Sequence, residues 1–122
     1  MFKWVMAAAL VAVVPVAASA QDADAGKAVF NKCKACHSTP GPDAKNMLGP
    51  NLTGVVGRKA GSVEGFAYSD AMKGAGLTWD EATLGEYLKD PKGKVPGNKM
   101  VFLGIKDDTD RANLIAFLKG GK

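Results

Sequence analysis

The stretch Cys33-Lys34-Ala35-Cys36-His37 decides how this 122-residue chain is interpreted. Cys33 and Cys36 are its only cysteines, and His37 is its only histidine. The pattern Cys-x-x-Cys-His indicates a covalently attached c-type haem, in which the two thiols form thioether bonds to the vinyl groups of the porphyrin. The histidine that follows is placed to put an imidazole nitrogen on the iron. The sequence therefore predicts one haem c per chain, attached through Cys33 and Cys36, with His37 as an iron ligand.

Three other interpretations of this motif are weaker. A disulfide oxidoreductase usually carries Cys-x-x-Cys at a strand-to-helix turn of a βαβ unit, and no strand pattern precedes Cys33. A structural zinc site needs four protein ligands, and the sequence contains no second Cys or Cys/His pair. A structural disulfide would leave the position of His37 as a coincidence.

The first twenty residues have the pattern of a secretory signal peptide. Lys3 supplies a positive start, Val5 to Val14 is an apolar stretch, and Ala18-Ser19-Ala20 is a small-residue cleavage site. An uncleaved membrane anchor is the alternative, but the run before Gln21 is short, rich in alanine and broken by Pro15, so it falls short of the ~20 apolar residues that span a bilayer. We therefore expect residues 1–20 to be removed and residues 21–122 to form one domain in the bacterial periplasm.

Basic residues outnumber acidic residues by 16 to 12, which gives a formal net charge of +4 at pH 7. Lysines gather in two clusters along the chain, Lys27, Lys32, Lys34 and Lys45 around the haem motif and Lys89, Lys92, Lys94, Lys99 and Lys106 further on. If both clusters reach one edge of the cofactor, they form a docking surface for an acidic partner. A nucleic-acid partner is not expected, because no basic stripe is interleaved with aromatic residues.

The spacing of apolar residues predicts four helices and no strand, so the fold class is all-α. The predicted helices cover about 24–33, a short segment near 69–73, a segment that starts with a capping box at Thr78 to Glu81 and is ended by Pro91, and a last segment from Asp108 or Thr109 to Gly120-Gly121. A long Gly/Pro-rich stretch separates His37 from Ser69. Because such long loops are uncommon in compact domains, we expect this one to wrap the cofactor.

The second iron ligand decides between two kinds of chemistry. A haem held by His37 alone would bind gases or peroxide, whereas a second strong ligand would close the iron and suit electron transfer. Without another histidine, the candidates are a methionine, a lysine or the N-terminal amine. Met47 and Met72 could be ordinary packing residues. Met100 follows the Pro96-Gly97 turn, which suits a sulfur directed inward, but spacing alone leaves Met100 and Met47 equally supported.

These motifs, in this order, resemble the class I cytochromes c, close to the mitochondrial protein and its periplasmic bacterial relatives. The resemblance covers nearly all of residues 21–122. Gly26 and Phe30 resemble the contact residues of the family's first helix, and Leu114 and Phe117 resemble their partners in its last helix. The resemblance implies the cytochrome c fold, with about four helices and long loops around one covalently bound haem.

The resemblance also implies roles for residues around the haem. Gly49-Pro50-Asn51-Leu52 resembles the loop in which the proline carbonyl accepts the hydrogen bond of the ligand imidazole. Pro96-Gly97-Asn98-Lys99-Met100 resembles the methionine-ligand segment, with Asn98 where threonine is common, so the implied iron ligands are His37 and Met100. The remaining implied haem contacts are Arg58, Tyr68 and Trp79 at the propionates and Tyr87 beside the methionine. These aromatic residues could instead be core residues with satisfied polar tips.

The function implied by the resemblance is one-electron transfer rather than enzymatic catalysis. It implies a quinol–cytochrome c reductase as donor and a terminal oxidase or photosynthetic reaction centre as acceptor. We expect a monomer, because no large apolar stripe is left over in the sequence. A peroxidase or gas sensor is the main alternative, but it would need an open iron and a distal acid–base residue, and no second histidine is present. A haem subunit of a larger oxidoreductase would share the same ligands and stays open.

Overall fold

The structure, a computed structural model, describes residues 21–121, and the predicted signal peptide lies outside them. Five helices occur in the described residues: α1 Ala23–Phe30, α2 Asp70–Lys73, α3 Glu81–Lys89, α4 Pro91–Lys94 and α5 Asp108–Gly120. An isolated antiparallel bridge between Lys59 and Thr78 is the only β-structure in this part of the chain. The prediction of an all-α fold is confirmed. None of the helices described is long and apolar enough to cross a bilayer.

Helices α1 and α5 pack directly against each other. Gly26 allows the close approach, because a Cβ atom at this position would lie 1.9 Å from the backbone oxygen of Asn113. Beside this contact, the ring centroids of Phe30 and Phe117 are 5.3 Å apart. The side-chain oxygen of Asn113 also accepts the backbone N–H of Asp22 at 2.9 Å. The predicted contact between the first and last helices is therefore confirmed.

The predicted end of α1 is wrong by three residues. The helix is capped by the Asp22 carboxylate and ends at Phe30, not at Cys33. Beyond Phe30 the backbone continues in tight turns, with the Cys33 N–H donating to the Phe30 oxygen and the His37 N–H donating to the Cys33 oxygen, both at 2.8 Å. The haem motif therefore lies on turns that follow the helix.

The capping box predicted at Thr78 to Glu81 is also wrong. Helix α3 is capped by Asp80, whose carboxylate accepts the N–H of Thr83, and Thr78 lies in the isolated bridge. Pro91, which was predicted to end α3, also begins the unpredicted helix α4. Proline suits a first helical position, because the N–H that it lacks would have no partner there.

The buried apolar side chains form one cluster that the helices and loops share. It includes Phe30, Trp79, Leu84, Tyr87, Leu114 and Leu118. These same side chains line a large cavity, along which residues from the long loops also lie. The side chains of the hydrophobic core are therefore also walls of the cavity.

Candidate functional site

A cavity of about 420 Å³ brings the predicted site residues together. Its lining includes Cys33, Cys36, His37, Pro50, Arg58, Tyr68, Trp79, Tyr87 and Met100. Cofactor sites are typically ~300–1,000 Å³ in volume, with apolar walls and a few well-placed polar groups. The cavity has that character, and every residue predicted to contact the haem lies on it.

His37 is fixed on one wall of the cavity with a single nitrogen available. Its side chain is buried, and Nδ1 lies 2.9 Å from the backbone oxygen of Pro50. Because a carbonyl only accepts hydrogen bonds, Nδ1 carries the hydrogen and Nε2 keeps its lone pair. Burial lowers the pKa of His37, the bond to Pro50 acts in the opposite direction, and the charge of Arg58 lowers it further. The imidazole is therefore neutral at pH 7 and its Nε2 can bind a metal.

Gly49 gives the imidazole the room that it needs. A Cβ atom at this position would lie 2.2 Å from Cε1 of His37. The Gly49 N–H donates to the backbone oxygen of Cys36 at 2.7 Å, which holds the loop against the haem motif. This steric role of Gly49 was not predicted, and its position beside Pro50 is the only signal of it in the sequence.

The environment of Cys33 is not that of a redox-active thiol. Within the described residues Cys33 and Cys36 form no disulfide, and both side chains are partly buried. Burial is the main cause that raises the pKa of the Cys33 thiol to about 11, and Cys36 adds to it. Disulfide exchange needs a thiolate, so this environment counts against an oxidoreductase. Within residues 21–121 no three His, Cys, Asp or Glu side chains group to hold a metal, which counts against zinc.

Met100 lies on the cavity with its sulfur beside a tyrosine hydroxyl. The Tyr87 hydroxyl donates to the Met100 sulfur at 3.8 Å. Burial raises the pKa of Tyr87 to about 12, so the phenol keeps its proton at neutral pH. Met72 also lines the cavity, whereas Met47 is exposed and lies outside its lining. Of the two methionines that spacing left equal, the structure brings only Met100 into the site.

Arg58 carries a buried donor that lacks a partner. Its Nη1 donates to the backbone oxygens of Asn51 and Thr53 at 2.9 and 3.1 Å. Its Nε is buried and has no hydrogen-bond partner within the described residues. Nearby, the Tyr68 hydroxyl accepts the Val63 N–H at 3.0 Å, which leaves its own O–H able to donate. Because buried donors are normally paired, this end of the cavity fits the carboxylates of a haem.

The described residues therefore fit a haem on three counts. Two thiols and an imidazole come from one short segment, the walls are mainly apolar, and the lining includes Arg58, whose buried Nε has no partner within the described residues. Asn98 is a further residue of the cavity lining, and sequence reasoning gave it no role of its own. It is buried, donates to the backbone oxygens of Pro91 and Val95, and accepts the backbone N–H of Met100.

Comparison with known proteins agrees with this site. The family model described as Cytochrome c matches residues 23–122. The chain is 60% identical over 97 residues to cytochrome c-550 of Nitrobacter winogradskyi, which covers 80% of this chain and 88% of that protein. It is 60% identical over 99 residues to cytochrome c2 of Rhodoblastus acidophilus, which covers 81% and 92% respectively.

A solved structure gives the same result for the fold. Cytochrome cH from Methylobacterium extorquens matches with a TM-score of 0.76 at 54% identity, which covers 81% of this chain and 98% of that one. Both the sequence and the helical arrangement therefore agree with one family. The chain belongs to the cytochrome c family, and it is an electron-transport protein with a covalently attached haem c.

Proposed function

We propose that this cytochrome is a periplasmic one-electron carrier in which His37 and Met100 bind the haem iron. The proposal depends mainly on one observation, that an imidazole with its Nδ1 bonded to Pro50 and a thioether sulfur line the same cavity. The haem supplies one-electron chemistry between ferrous and ferric iron. Cys33 and Cys36 hold it covalently, and the two ligands stay bound in both states. Little rearrangement of the protein is then needed for each transfer.

The residues behind the ligands set their donor strength. The carbonyl of Pro50 fixes the ring of His37 and makes its free nitrogen a better donor. The Tyr87 hydroxyl draws electron density from the Met100 sulfur, and a thioether is itself a soft ligand that favours ferrous iron. The apolar walls solvate the extra charge of ferric haem poorly. The effects at the Met100 sulfur and the effect of the apolar walls both raise the reduction potential.

The polar end of the cavity is proposed to bind the haem propionates. Arg58 would donate from its unpaired Nε, and Tyr68 from the O–H that its own acceptor role leaves free. Trp79 is 6% exposed and lines the same cavity, so its indole N–H is proposed as a third donor. Donors that bind the carboxylates fix the orientation of the haem and neutralise its charge.

The proposed docking surface surrounds the mouth of the cavity. Lys32 and Lys99 line the cavity, and Leu48 and Val101, which also line it, are 80% and 98% exposed. An apolar patch with positive charges around it suits a short-lived contact with an acidic partner. We propose a quinol–cytochrome c reductase as the electron donor and a terminal oxidase or photosynthetic reaction centre as the acceptor, each meeting a monomer of this protein.

Some of the lysines that were predicted to contact the partner bond to groups within the protein, and others do not. Lys94 pairs with Glu86, and the ammonium group of Lys106 donates to the backbone oxygen of Lys89. The ammonium group of Lys92 donates to the backbone of the Met100 loop. The exposed residues Lys32, Lys34 and Lys99 have no such partner among the described residues, so they are the ones proposed to meet the partner protein.

Absorption spectra of the oxidised and reduced protein, with and without carbon monoxide, test the proposed ligands. We expect a low-spin spectrum with the weak near-red sulfur-to-iron band and no change with carbon monoxide. Met100→Ala should lose the band and bind carbon monoxide, whereas Met47→Ala should keep the native behaviour. A wild-type protein that is high-spin or binds carbon monoxide readily would contradict the proposal and favour a peroxidase or gas sensor.

Electron-transfer rates with an acidic redox partner test the docking surface. Lys34→Glu and Lys99→Glu should lower the rate at low salt and leave the reduction potential nearly unchanged, because they remove steering but leave the ligands intact. The loss should shrink as salt screens the charges. Lys59→Glu is the charge-matched control, because Lys59 is an exposed lysine that lies neither on the cavity lining nor within the haem motif. Equal losses in all three variants would exclude a local docking surface.

A further inference from the structure

Asn98 links the helix before the Met100 loop to Met100 itself. We propose that Asn98 is the positioning residue that holds the Met100 sulfur in place for iron binding. The inference rests on the proposed ligation of the iron by His37 and Met100. It assigns to Asn98 a role that its place in the sequence, where threonine is common in the family, did not suggest.

The side chain of Asn98 is buried, and all of its hydrogen-bonding groups are used. It is 5% exposed. Its Nδ2 donates to the backbone oxygens of Pro91 and Val95, both at 2.9 Å. Its Oδ1 accepts the Met100 N–H at 2.8 Å and also faces Nζ of Lys92 at 3.3 Å. The nitrogen meets only acceptors and the oxygen meets only donors, so the surroundings fix the orientation of the amide.

The segment around Met100 has few other anchors. From Lys99 to Gly104, the only backbone N–H that donates a hydrogen bond within the described residues is that of Met100, and its acceptor is the Asn98 side chain. The next anchored backbone donor is Ile105, which donates to the Leu88 oxygen at 2.7 Å. Without the Asn98 side chain, no backbone N–H between Lys99 and Gly104 would donate a hydrogen bond within the described residues. The segment would then depend on side-chain packing, on the Tyr87 contact and on the backbone hydrogen bonds at its two ends.

At this position an asparagine supplies two N–H donors and one acceptor oxygen, a combination that other short side chains lack. Two carbonyl oxygens require two donors, and a hydroxyl group has only one. An aspartate would keep the acceptor for the Met100 N–H but would place a carboxylate against the oxygens of Pro91 and Val95. A buried polar group without its partners costs more than the bond itself contributes, so loss of the amide should loosen the whole loop.

Competition by an added ligand measures the loosening. Asn98→Ala should raise the affinity of the ferric protein for added imidazole about tenfold or more, because the sulfur is displaced more easily. Asn98→Asp should do the same, since it removes both donated bonds. The matched control is Asn113→Ala, a buried asparagine that bonds the Asp22 N–H between α1 and α5. It should lower overall stability without raising the affinity for imidazole.

Hydrogen exchange of the Met100 amide gives a readout that does not depend on the iron. Exchange should accelerate in Asn98→Ala and stay slow in Asn113→Ala relative to global unfolding. The proposal is overturned if Asn98→Ala matches the control in both measurements, or if Asn98→Asp behaves as wild type. Failure of the proposed ligation would look different, because the wild-type protein itself would then lack the sulfur-to-iron band.

Discussion

The two sides of the cavity are built in different ways. The His37 side comes from one short segment, in which the proposed ligand directly follows the two cysteines. The backbone N–H of His37 donates to the Cys33 oxygen four residues earlier. The Met100 side is assembled from distant parts of the chain. The Tyr87 hydroxyl of α3 reaches the sulfur, and the Asn98 amide joins α4 to the loop.

This difference predicts which side opens at the lower free energy. On the His37 side, covalent attachment of the haem to neighbouring residues would keep the proposed ligand near the iron even when the fold fluctuates. On the Met100 side, a few hydrogen bonds hold a loop whose outer residues are exposed, Val101 at 98% and Leu103 at 90%. Segments with few buried contacts and few hydrogen bonds open at lower free energy than the core. The Met100 side should therefore open first.

Without the haem, we expect both sides of the cavity to unfold. In Cys33→Ala/Cys36→Ala the cofactor cannot be attached, and the core side chains that line the cavity lose their contacts. We expect a largely unfolded protein, because a chain of this size with a hollow core cannot offset its conformational entropy. Far-UV circular dichroism during heating is the measurement. A native-like spectrum with a cooperative transition would contradict this.

A methyl group at Gly49 should damage the His37 side alone. Gly49→Ala places a Cβ atom 2.2 Å from Cε1 of His37, so the ring or the loop must move. Overpacking of this kind lowers the free energy of unfolding by about 1–3 kcal/mol. Gly120→Ala is the control, because a Cβ atom there meets nothing within 4 Å. The denaturant concentrations at the unfolding midpoints of the two variants are the measurement. Equal midpoints would show that the residues around His37 accommodate the added methyl group without loss of stability.

On the Met100 side, loss of the Tyr87 hydroxyl should lower the reduction potential. In Tyr87→Phe the sulfur keeps its electron density, donates more strongly to ferric iron, and the reduction potential falls. One hydrogen bond changes an equilibrium by less than about tenfold, so we expect a decrease below about 59 mV. Redox titration measures this. An unchanged potential would show that the 3.8 Å contact does not act on the iron.

The smallest expected effect concerns the cap of α3, the helix that carries Tyr87. The bond from the Thr83 N–H is the first cause that lowers the pKa of Asp80, and the charge of Lys94 adds to it. Because the pKa is lower in the folded state, Asp80 contributes stability above its ordinary pKa of 3.8 and loses it as the pH falls through the folded value. The difference in melting temperature between wild type and Asp80→Ala should therefore be constant near neutral pH and shrink below pH 4. A difference that stays the same in acid would show that the charge of Asp80 is not involved.

The His37 side could be predicted from the sequence because its chemistry is local. Two thiols and an imidazole within five residues leave little room for another interpretation. Met100 could not be separated from Met47 in this way, because the contact that selects it depends on the path of the whole chain. The hydrogen bonds of Asn98 reach Pro91 and Lys92 across a turn that has no periodic pattern to indicate it.

The errors in the helices have equally local causes. Thr78 and Asp80 are both good capping residues, and the bridge to Lys59, which the sequence does not show, occupies the first of them. Helix α4 has four residues, which is too short for a periodic pattern to appear. The end of α1 was placed too late because tight turns continue the helical path beyond Phe30.

The contact between α1 and α5 has a consequence for the order of folding. Asp22 and Asn113 are 91 residues apart in the sequence, so their pairing closes nearly the whole described chain into a ring. Closure of a flexible loop of that length costs roughly 4 kcal/mol of entropy beyond a constant term. Once the ring exists, the loops that carry Pro50 and Met100 close within shorter lengths and at lower entropic cost. We therefore expect the pairing of the two terminal helices to be the slow step of folding, with the walls of the haem cavity assembling quickly after it.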